Sequence, residues 1–151
     1  MFAQAAYGQT GLTPAVLQEN PGQVSLNGYI EYLEDNEGIL TINEVAASGD
    51  FINAGEDTPN FGFTDSVYWF RFSITNNTKQ DTLLLEQGYA LIDYISLFSR
   101  NQEGGFKEQQ SGDMLPFKNR VRPYRTITFE MNIELGETKI LFVRTQTSSS
   151  T

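Results

Sequence analysis

Residues 60–76, NFGFTDSVYWFRFSITN, hold the only tryptophan of the chain and its densest run of aromatic residues. In an extended chain alternate side chains point to opposite sides, and one side of this stretch is apolar: Tyr68, Phe70, Phe72 and Ile74. The other side pairs Trp69 with Arg71. This second side fits either a packed layer with a paired charge or an open surface that stacks on flat ligand faces. The stretch therefore predicts a central β-strand with one candidate binding face.

The composition is that of one folded domain. A chain of 151 residues, 39% of them hydrophobic, can bury a core without metal or disulfide support. Its eleven phenylalanines and seven tyrosines favour β structure. We predict a lead-in segment at residues 1–22, a single β-sandwich domain at 23–147 and a polar tail at 148–151 toward a membrane region not included in this chain. The short apolar patch at residues 15–17 is assigned to the lead-in.

Charge and missing residue types exclude several functions. The net charge of −9 argues against nucleic acid as a partner, because such binding neutralises phosphates with Lys and Arg. The chain has no cysteine and no histidine, which excludes thiolate zinc sites, histidine metal sites and a Ser-His-Asp triad. No stretch approaches the roughly 20 apolar residues that span a bilayer.

About eight short strands at even spacing, separated by turn residues, predict an all-β, antiparallel β-sandwich with at most one short helix. Thr41 and Glu44 match a capping box, which predicts a helix to about Ala47. A short extended piece is the alternative there. Residues 126–133 and 139–146 flank a short turn and are predicted to pair as a hairpin.

Acidic residues are dense at 31–37, and a second group is formed by Asp50, Glu56 and Asp57. Calcium favours several oxygen ligands on a flexible loop, so either group could hold an ion. A solvated turn is the favoured interpretation, since charged residues are mostly exposed. We predict no cofactor and no metal ligands, with calcium as the alternative.

Four of the ten basic residues are concentrated in one segment: Lys118, Arg120, Arg122 and Arg125. Such a patch could receive a carboxylate or phosphate of a ligand. Pairing with acids of the protein itself is favoured over that interpretation. Paired carboxylates could in principle hydrolyse a glycoside, but nothing distinguishes two of the nineteen acids, so the chain is predicted not to be an enzyme.

The predicted ligand site is a shallow concavity on the Trp69 side of the central strand. It is expected to comprise six residues: Trp69, Arg71, Glu86, Asp93, Arg120 and Arg122. The alternative is that both faces of the strand are buried and Trp69 is part of the core, because tryptophan is highly buried on average.

A set of short motifs occurs in a specific order: Tyr32-Leu33-Glu34-Asp35, Leu40-Thr41-Ile42, Asn60-Phe61-Gly62, Tyr68-Trp69-Phe70-Arg71-Phe72, Leu84-Leu85-Glu86, Ile92-Asp93 and Gly112-Asp113-x-Leu115-Pro116-Phe117-x-x-Arg120. In this order the motifs, spread over roughly residues 25–147, resemble the second type of extracellular domain of bacterial seven-transmembrane receptors with diverse intracellular signalling modules. The resemblance implies a jelly-roll β-sandwich similar to carbohydrate-binding modules.

The resemblance also implies a role. It predicts a periplasmic or cell-surface sensor domain of a membrane-anchored receptor that drives a histidine kinase, a nucleotide cyclase or a similar output. The expected partner is a carbohydrate-like or other small ligand, and the receptor could form a homodimer. Two alternatives stay open: a protein-interaction or dimerisation module of the ectodomain, and an accessory carbohydrate-binding domain of a glycosidase.

Overall fold

The computed structural model describes residues 12–19, 22–55, 66–87, 94–111 and 127–146. These residues form two β-sheets and one short helix. The elements in chain order are β1 (Ala15–Leu17), β2 (Glu31–Asp35), α1 (Ile42–Ala47), β3 (Ile52–Asn53), β4 (Val67–Asn76), β5 (Thr82–Gln87), β6 (Tyr94–Arg100), β7 (Phe106–Ser111), β8 (Ile127–Asn132) and β9 (Thr138–Gln146).

The larger sheet has seven strands. Six of them follow the order β3-β2-β4-β9-β6-β7, and β1 pairs with β4 in parallel. The pairing of β4 with β9 covers one edge of β4 from Val67 to Thr75. The other edge of β4 is shared by β2, next to its first half, and β1, next to its end. The smaller sheet is the antiparallel pair β5-β8. The predicted antiparallel β-sandwich is therefore confirmed, and the jelly-roll connectivity stays a prediction.

Side chains of β4 alternate between two cores, as the period of two predicts. The core between the two sheets, called the inter-sheet core, contains Phe72 and Ile74, and Phe70 packs against it. The opposite face of the larger sheet forms the helix-side core, which α1 covers. Its buried members are Leu33, Val45, Val67, Trp69, Phe98 and Phe142. The apolar strip of the central strand thus faces inward, and its other side is buried as well.

The helix begins where the capping box predicts. Thr41 Oγ1 accepts a hydrogen bond from the Glu44 amide at 3.3 Å, and the Glu44 carboxylate accepts one from the Thr41 amide at 3.0 Å. The two side chains satisfy amides that a helix start leaves without intrahelical partners. The helix ends at Ala47, and Val45 is its fully buried residue. The extended alternative for this segment is therefore wrong.

The predicted hairpin at residues 126–146 is also wrong. β8 pairs with β5 in the smaller sheet, whereas β9 lies between β4 and β6 in the larger one. The chain therefore changes sheet at residues 133–137. The apolar faces of β8 and β9 meet across the inter-sheet core, so the two strands pack face to face instead of pairing edge to edge.

Asn76, the last residue of β4, holds this crossing in place. Its side chain is fully buried, and Nδ2 donates to the carbonyls of Gln80 at 2.7 Å and Ile133 at 2.6 Å. Its Oδ1 accepts from both the amide and the hydroxyl of Thr78. The Asn76 backbone bonds to residues 136 and 137 of the same crossing. One amide side chain thus joins the end of the central strand to two loops.

The sheet also reaches into the segment that we predict as a lead-in. Residues Ala15–Leu17 form β1, with Ala15 opposite Ile74 and buried. Leu17 packs against the inter-sheet core, and its carbonyl accepts from the Asn77 amide at 2.8 Å. The apolar patch at 15–17 is thus a strand of the sandwich, because it covers the stretch of β4 edge that β2 leaves free.

Replacing Asn76 tests whether its side chain stabilises the change of sheet at residues 133–137. Asn76→Ala removes four side-chain hydrogen bonds and deprives the buried Ile133 carbonyl of this donor, so we expect a loss of about 2–4 kcal/mol in the free energy of unfolding. Urea denaturation followed by circular dichroism measures it. The matched control is Asn77→Ala, whose side chain is exposed. Equal losses in the two variants would contradict the assignment.

Candidate functional site

Trp69 is a core residue. Only 1% of it is exposed, its ring centroid lies 5.6 Å from that of Phe98, and Arg144 stands over it at 5.9 Å. Nε1 has no hydrogen-bond partner among the described residues. The prediction of a ligand-facing indole is therefore wrong in placement, and the alternative of a core indole is correct. The cause is α1, whose apolar side needs a surface to cover and finds it here.

Arg71 is the paired charge of a packed layer. It lies directly opposite Glu31 of β2, and both residues are 9% exposed. Nε donates to Glu31 Oε1 at 2.9 Å, and Nη2 contacts the same oxygen. The guanidinium carbon lies 4.2 Å from the centroid of the Phe51 ring. The pair is internal, so the predicted role of Arg71 at an open ligand surface does not match its position.

The remaining predicted residues do not join these two. Glu86 is exposed on β5 of the smaller sheet, where its carboxylate accepts from Gln23 Nε2 at 3.1 Å. Asp93, Arg120 and Arg122 lie outside the described residues, so a ligand-binding role for them stays a prediction. The predicted concavity is not formed by Trp69, Arg71 and Glu86, because two of them are buried in the larger sheet and the third is on the smaller one.

The acids at 31–37 bind separate partners. Asp35 accepts from the amides of residues 38–40 at 2.9 to 3.3 Å and so builds the turn after β2. Glu34 accepts from the Ser66 hydroxyl at 2.9 Å, and Glu31 pairs with an arginine. No group of three acidic side chains within the described ranges is placed to hold a metal ion. Calcium binding stays the alternative to our prediction of no metal. In the second acidic group, Asp50 is described, whereas Glu56 and Asp57 lie outside the described residues.

A cleft of about 190 Å³ opens where the β6-β7 hairpin of the larger sheet meets β8 of the smaller one. At about 30 Å³ for each water, this volume holds roughly six waters or one small ligand. Amide and hydroxyl side chains dominate the lining: Ser99, Asn101, Gln102, Gln109 and Asn132. The charged lining residues are Arg100, Lys107, Glu130 and Lys139. Every one of these lining residues is thus polar or charged, and together they offer several hydrogen-bond donors.

The turn between β6 and β7 forms one wall of the cleft. Asn101 Oδ1 accepts from the amides of Glu103 and Gly105, both at 3.0 Å. Gly104 has φ +89°, a conformation that favours glycine. Arg100 donates to the Gly104 carbonyl at 2.9 Å and lies 4.6 Å from the centroid of the Phe106 ring. This wall is therefore built by local contacts of its own residues.

The opposite wall is the edge of β8 that faces away from β5. The Ile133 amide bonds to the Asp81 carbonyl, so the backbone groups of Ile133 point toward the β5 edge. Successive residues of a strand direct their backbone groups to opposite edges, so those of residues 130 and 132 point away from β5. Their carbonyls accept from Gln109 Nε2 and Lys139 Nζ, each at 2.6 Å. Two side chains of the larger sheet thus cap an open edge of the smaller one. The arrangement fixes both side chains at the floor of the cleft.

Our sequence analysis did not identify this cleft. Its residues come from three distant segments, 99–109, 130–132 and 139. None of these segments contains a motif, and their proximity depends on the change of sheet at 133–137. The only local signal is the density of amide side chains at residues 101–110, which is equally typical of an exposed hairpin.

The emission of the single tryptophan tests its placement. We expect native Trp69 to emit at short wavelength and to resist quenching by acrylamide, because its indole is buried. The same protein unfolded in urea provides the exposed reference. Long-wavelength, readily quenched emission from the folded protein would contradict the helix-side core.

The buried ion pair predicts a strongly non-additive pair of substitutions. Arg71→Met leaves the Glu31 carboxylate buried without its partner and should cost about 3–5 kcal/mol of stability. The double variant Arg71→Met/Glu31→Leu replaces both charges with apolar groups, so most of that loss should be recovered. Chemical denaturation of the wild type, both single variants and the double variant measures the coupling. Additive losses would show that the two side chains do not interact in solution.

Among the described residues, no helix is long and apolar enough to cross a membrane. A search of curated proteins finds no match to the chain. The sequence model of the 7TMR-DISM extracellular 2 family matches residues 27–151. The match includes β2 to β9 and every residue that lines the cleft. The chain therefore belongs to the 7TMR-DISM extracellular 2 family and is an extracellular sensor domain of a membrane receptor.

Proposed function

We propose that the domain binds a small, carbohydrate-like ligand in the cleft between the β6-β7 turn and β8, and that it does so without catalysis. Family membership supports the sensor role. The polar lining of the cleft supports the ligand class, since sugar hydroxyls pair well with side-chain amides and hydroxyls. The single observation that carries the proposal is this concentration of amide donors in one concave surface.

The chemistry of the cleft supports binding over turnover. Glu130 is its only acidic residue among those described, whereas glycoside hydrolysis usually needs two carboxylates. The chain also lacks histidine and cysteine, which removes the most common bases and nucleophiles. A site with fixed donors and a single acid is suited to holding a ligand.

In this proposal the output belongs to the rest of the receptor. Occupancy of the cleft is relayed to a histidine kinase or nucleotide cyclase module outside this chain. Membership of a receptor ectodomain family weighs against the accessory domain of a glycosidase. A homodimer of the receptor, or an ectodomain that mainly contacts another protein, stays an alternative that the following experiment separates from ligand sensing.

A ligand that binds only the folded domain raises its melting temperature. At a concentration of 100 times Kd the gain is about 2.7 kcal/mol, which corresponds to roughly 5–10 °C for a domain of this size. We expect such a shift with members of a panel of neutral sugars and sugar acids, measured by differential scanning fluorimetry.

A matched pair of variants locates the binding. Asn132→Ala removes one amide of the cleft and should reduce the shift, whereas Asn77→Ala changes an exposed asparagine that does not line it and should leave the shift intact. Equal shifts in both variants would place the ligand elsewhere. A panel without any shift would favour the protein-interaction alternative.

A further inference from the structure

Basic residues are concentrated at the cleft although the protein is acidic overall. The chain has ten lysines and arginines and a net charge of −9. Six of the ten lie in the described residues: Arg71, Lys79, Arg100, Lys107, Lys139 and Arg144. Three of these six line one cleft of about 190 Å³, together with a single acid. The cleft is therefore a local positive site on a negative molecule.

Two of the three cations are available to a ligand. Arg100 is already engaged with a carbonyl and an aromatic ring of its own hairpin. Lys107 is exposed and makes no ion pair with any residue that the structure describes. Lys139 donates to one backbone carbonyl, which leaves two of its three N–H groups free among the described contacts.

The strand register puts both lysines on the same side of the sheet. Lys107 of β7 is opposite Ser99 of β6, and Ser99 is opposite Leu141 of β9. Lys139 precedes Leu141 by two residues, so it shares the face of Leu141 and Ser99. Both lysines therefore lie on the face of the larger sheet that also carries Ser99, and Gln109 lies on the same face two residues beyond Lys107 on β7.

The acids that the structure describes do not neutralise the two lysines of the cleft. Surface lysines are usually scattered among carboxylates, and nineteen acids are present in this chain. Yet Glu130 is the only acid among the described residues that line the cleft, and its backbone carbonyl rather than its carboxylate accepts the hydrogen bond from Gln109. An unneutralised pair of lysines in a concave site attracts an anion.

We propose that the ligand of this cleft is an anionic sugar, in which a carboxylate or phosphate lies between Lys107 and Lys139 and the hydroxyls meet the amides of Gln109 and Asn132. The inference rests on the proposed function and narrows its ligand class. A lysine ammonium acts as a point charge that accepts either anion. Gln109 Nε2 already bonds the Glu130 carbonyl and Asn132 Oδ1 already accepts from the Thr82 hydroxyl, so the polyol part would pair with the remaining donor and acceptor positions of these two amides.

The test compares matched ligands on the intact domain. Glucuronate and glucose 6-phosphate are titrated against glucose, acetate and inorganic phosphate, with binding measured by isothermal titration calorimetry at low and at physiological salt. We expect at least one anionic sugar to bind at least tenfold more tightly than glucose, acetate or phosphate. Added salt should weaken this binding because the contact is electrostatic. The comparison of the two acids distinguishes a carboxylate from a phosphate.

Single-residue variants then test whether Lys107 binds the anionic group of the ligand. Lys107→Ala should weaken binding of the anionic sugar at least tenfold, and Lys107→Arg should retain most of it. Lys79→Ala is the matched control, because Lys79 is an exposed lysine outside the cleft. Lys107 bonds to no described side chain, so the melting temperature of its variants should equal that of the wild type.

Each possible outcome of these titrations supports or overturns a stated part of the proposal. Equal affinity for glucose and its two anionic forms, unchanged by Lys107→Ala, would overturn the anionic ligand and leave the proposed sensor function intact. Acetate or phosphate binding as tightly as the anionic sugars would overturn the role of the polyol. If no sugar binds, charged or neutral, both the inference and the proposed ligand class fail.

Discussion

The central strand β4 is buried on both faces and paired along both edges, and the rest of the domain is arranged around this constraint. Phe70, Phe72 and Ile74 contribute to the inter-sheet core, and Val67 and Trp69 contribute to the helix-side core. A charge in such a strand must be neutralised internally, which explains why Arg71 meets Glu31 on the neighbouring strand. Both faces of β4 are largely buried, so the binding surface that we propose lies at the periphery, where the two sheets meet.

Features that depend on neighbouring residues could be predicted from the sequence. The capping box of Thr41 and Glu44 is a contact over three residues, and the helix begins there. Gly38 has φ +67° at the end of the predicted acidic turn, where Asp35 bonds the following amides. The two-sided pattern of β4 is also local, because alternation along a strand is a property of the backbone itself.

Features that depend on residues far apart in the sequence could not be predicted. The pattern that separates Trp69 from Phe70 tells which residues share a face, but not which element covers that face. Trp69 is buried because α1, more than twenty residues earlier, lies over it. The hairpin prediction failed for a related reason: a short turn between two apolar stretches is compatible with edge pairing and with face packing, and the contacts of Asn76 favour the second. The cleft forms only because β8 and β9 lie in different sheets, so it could not be predicted from the sequence either.

The position of β9 has a consequence for how the domain is made. It is the last described strand in the chain, yet it lies in the middle of the larger sheet, between β4 and β6. During synthesis neither core can close before β9 has emerged, and pairings over such sequence distances form slowly. The growing chain therefore cannot complete its fold until residues 138–146 have been synthesised. For a domain that functions outside the cytoplasm, this delay keeps the polypeptide unfolded and therefore able to pass through a secretion channel before it folds.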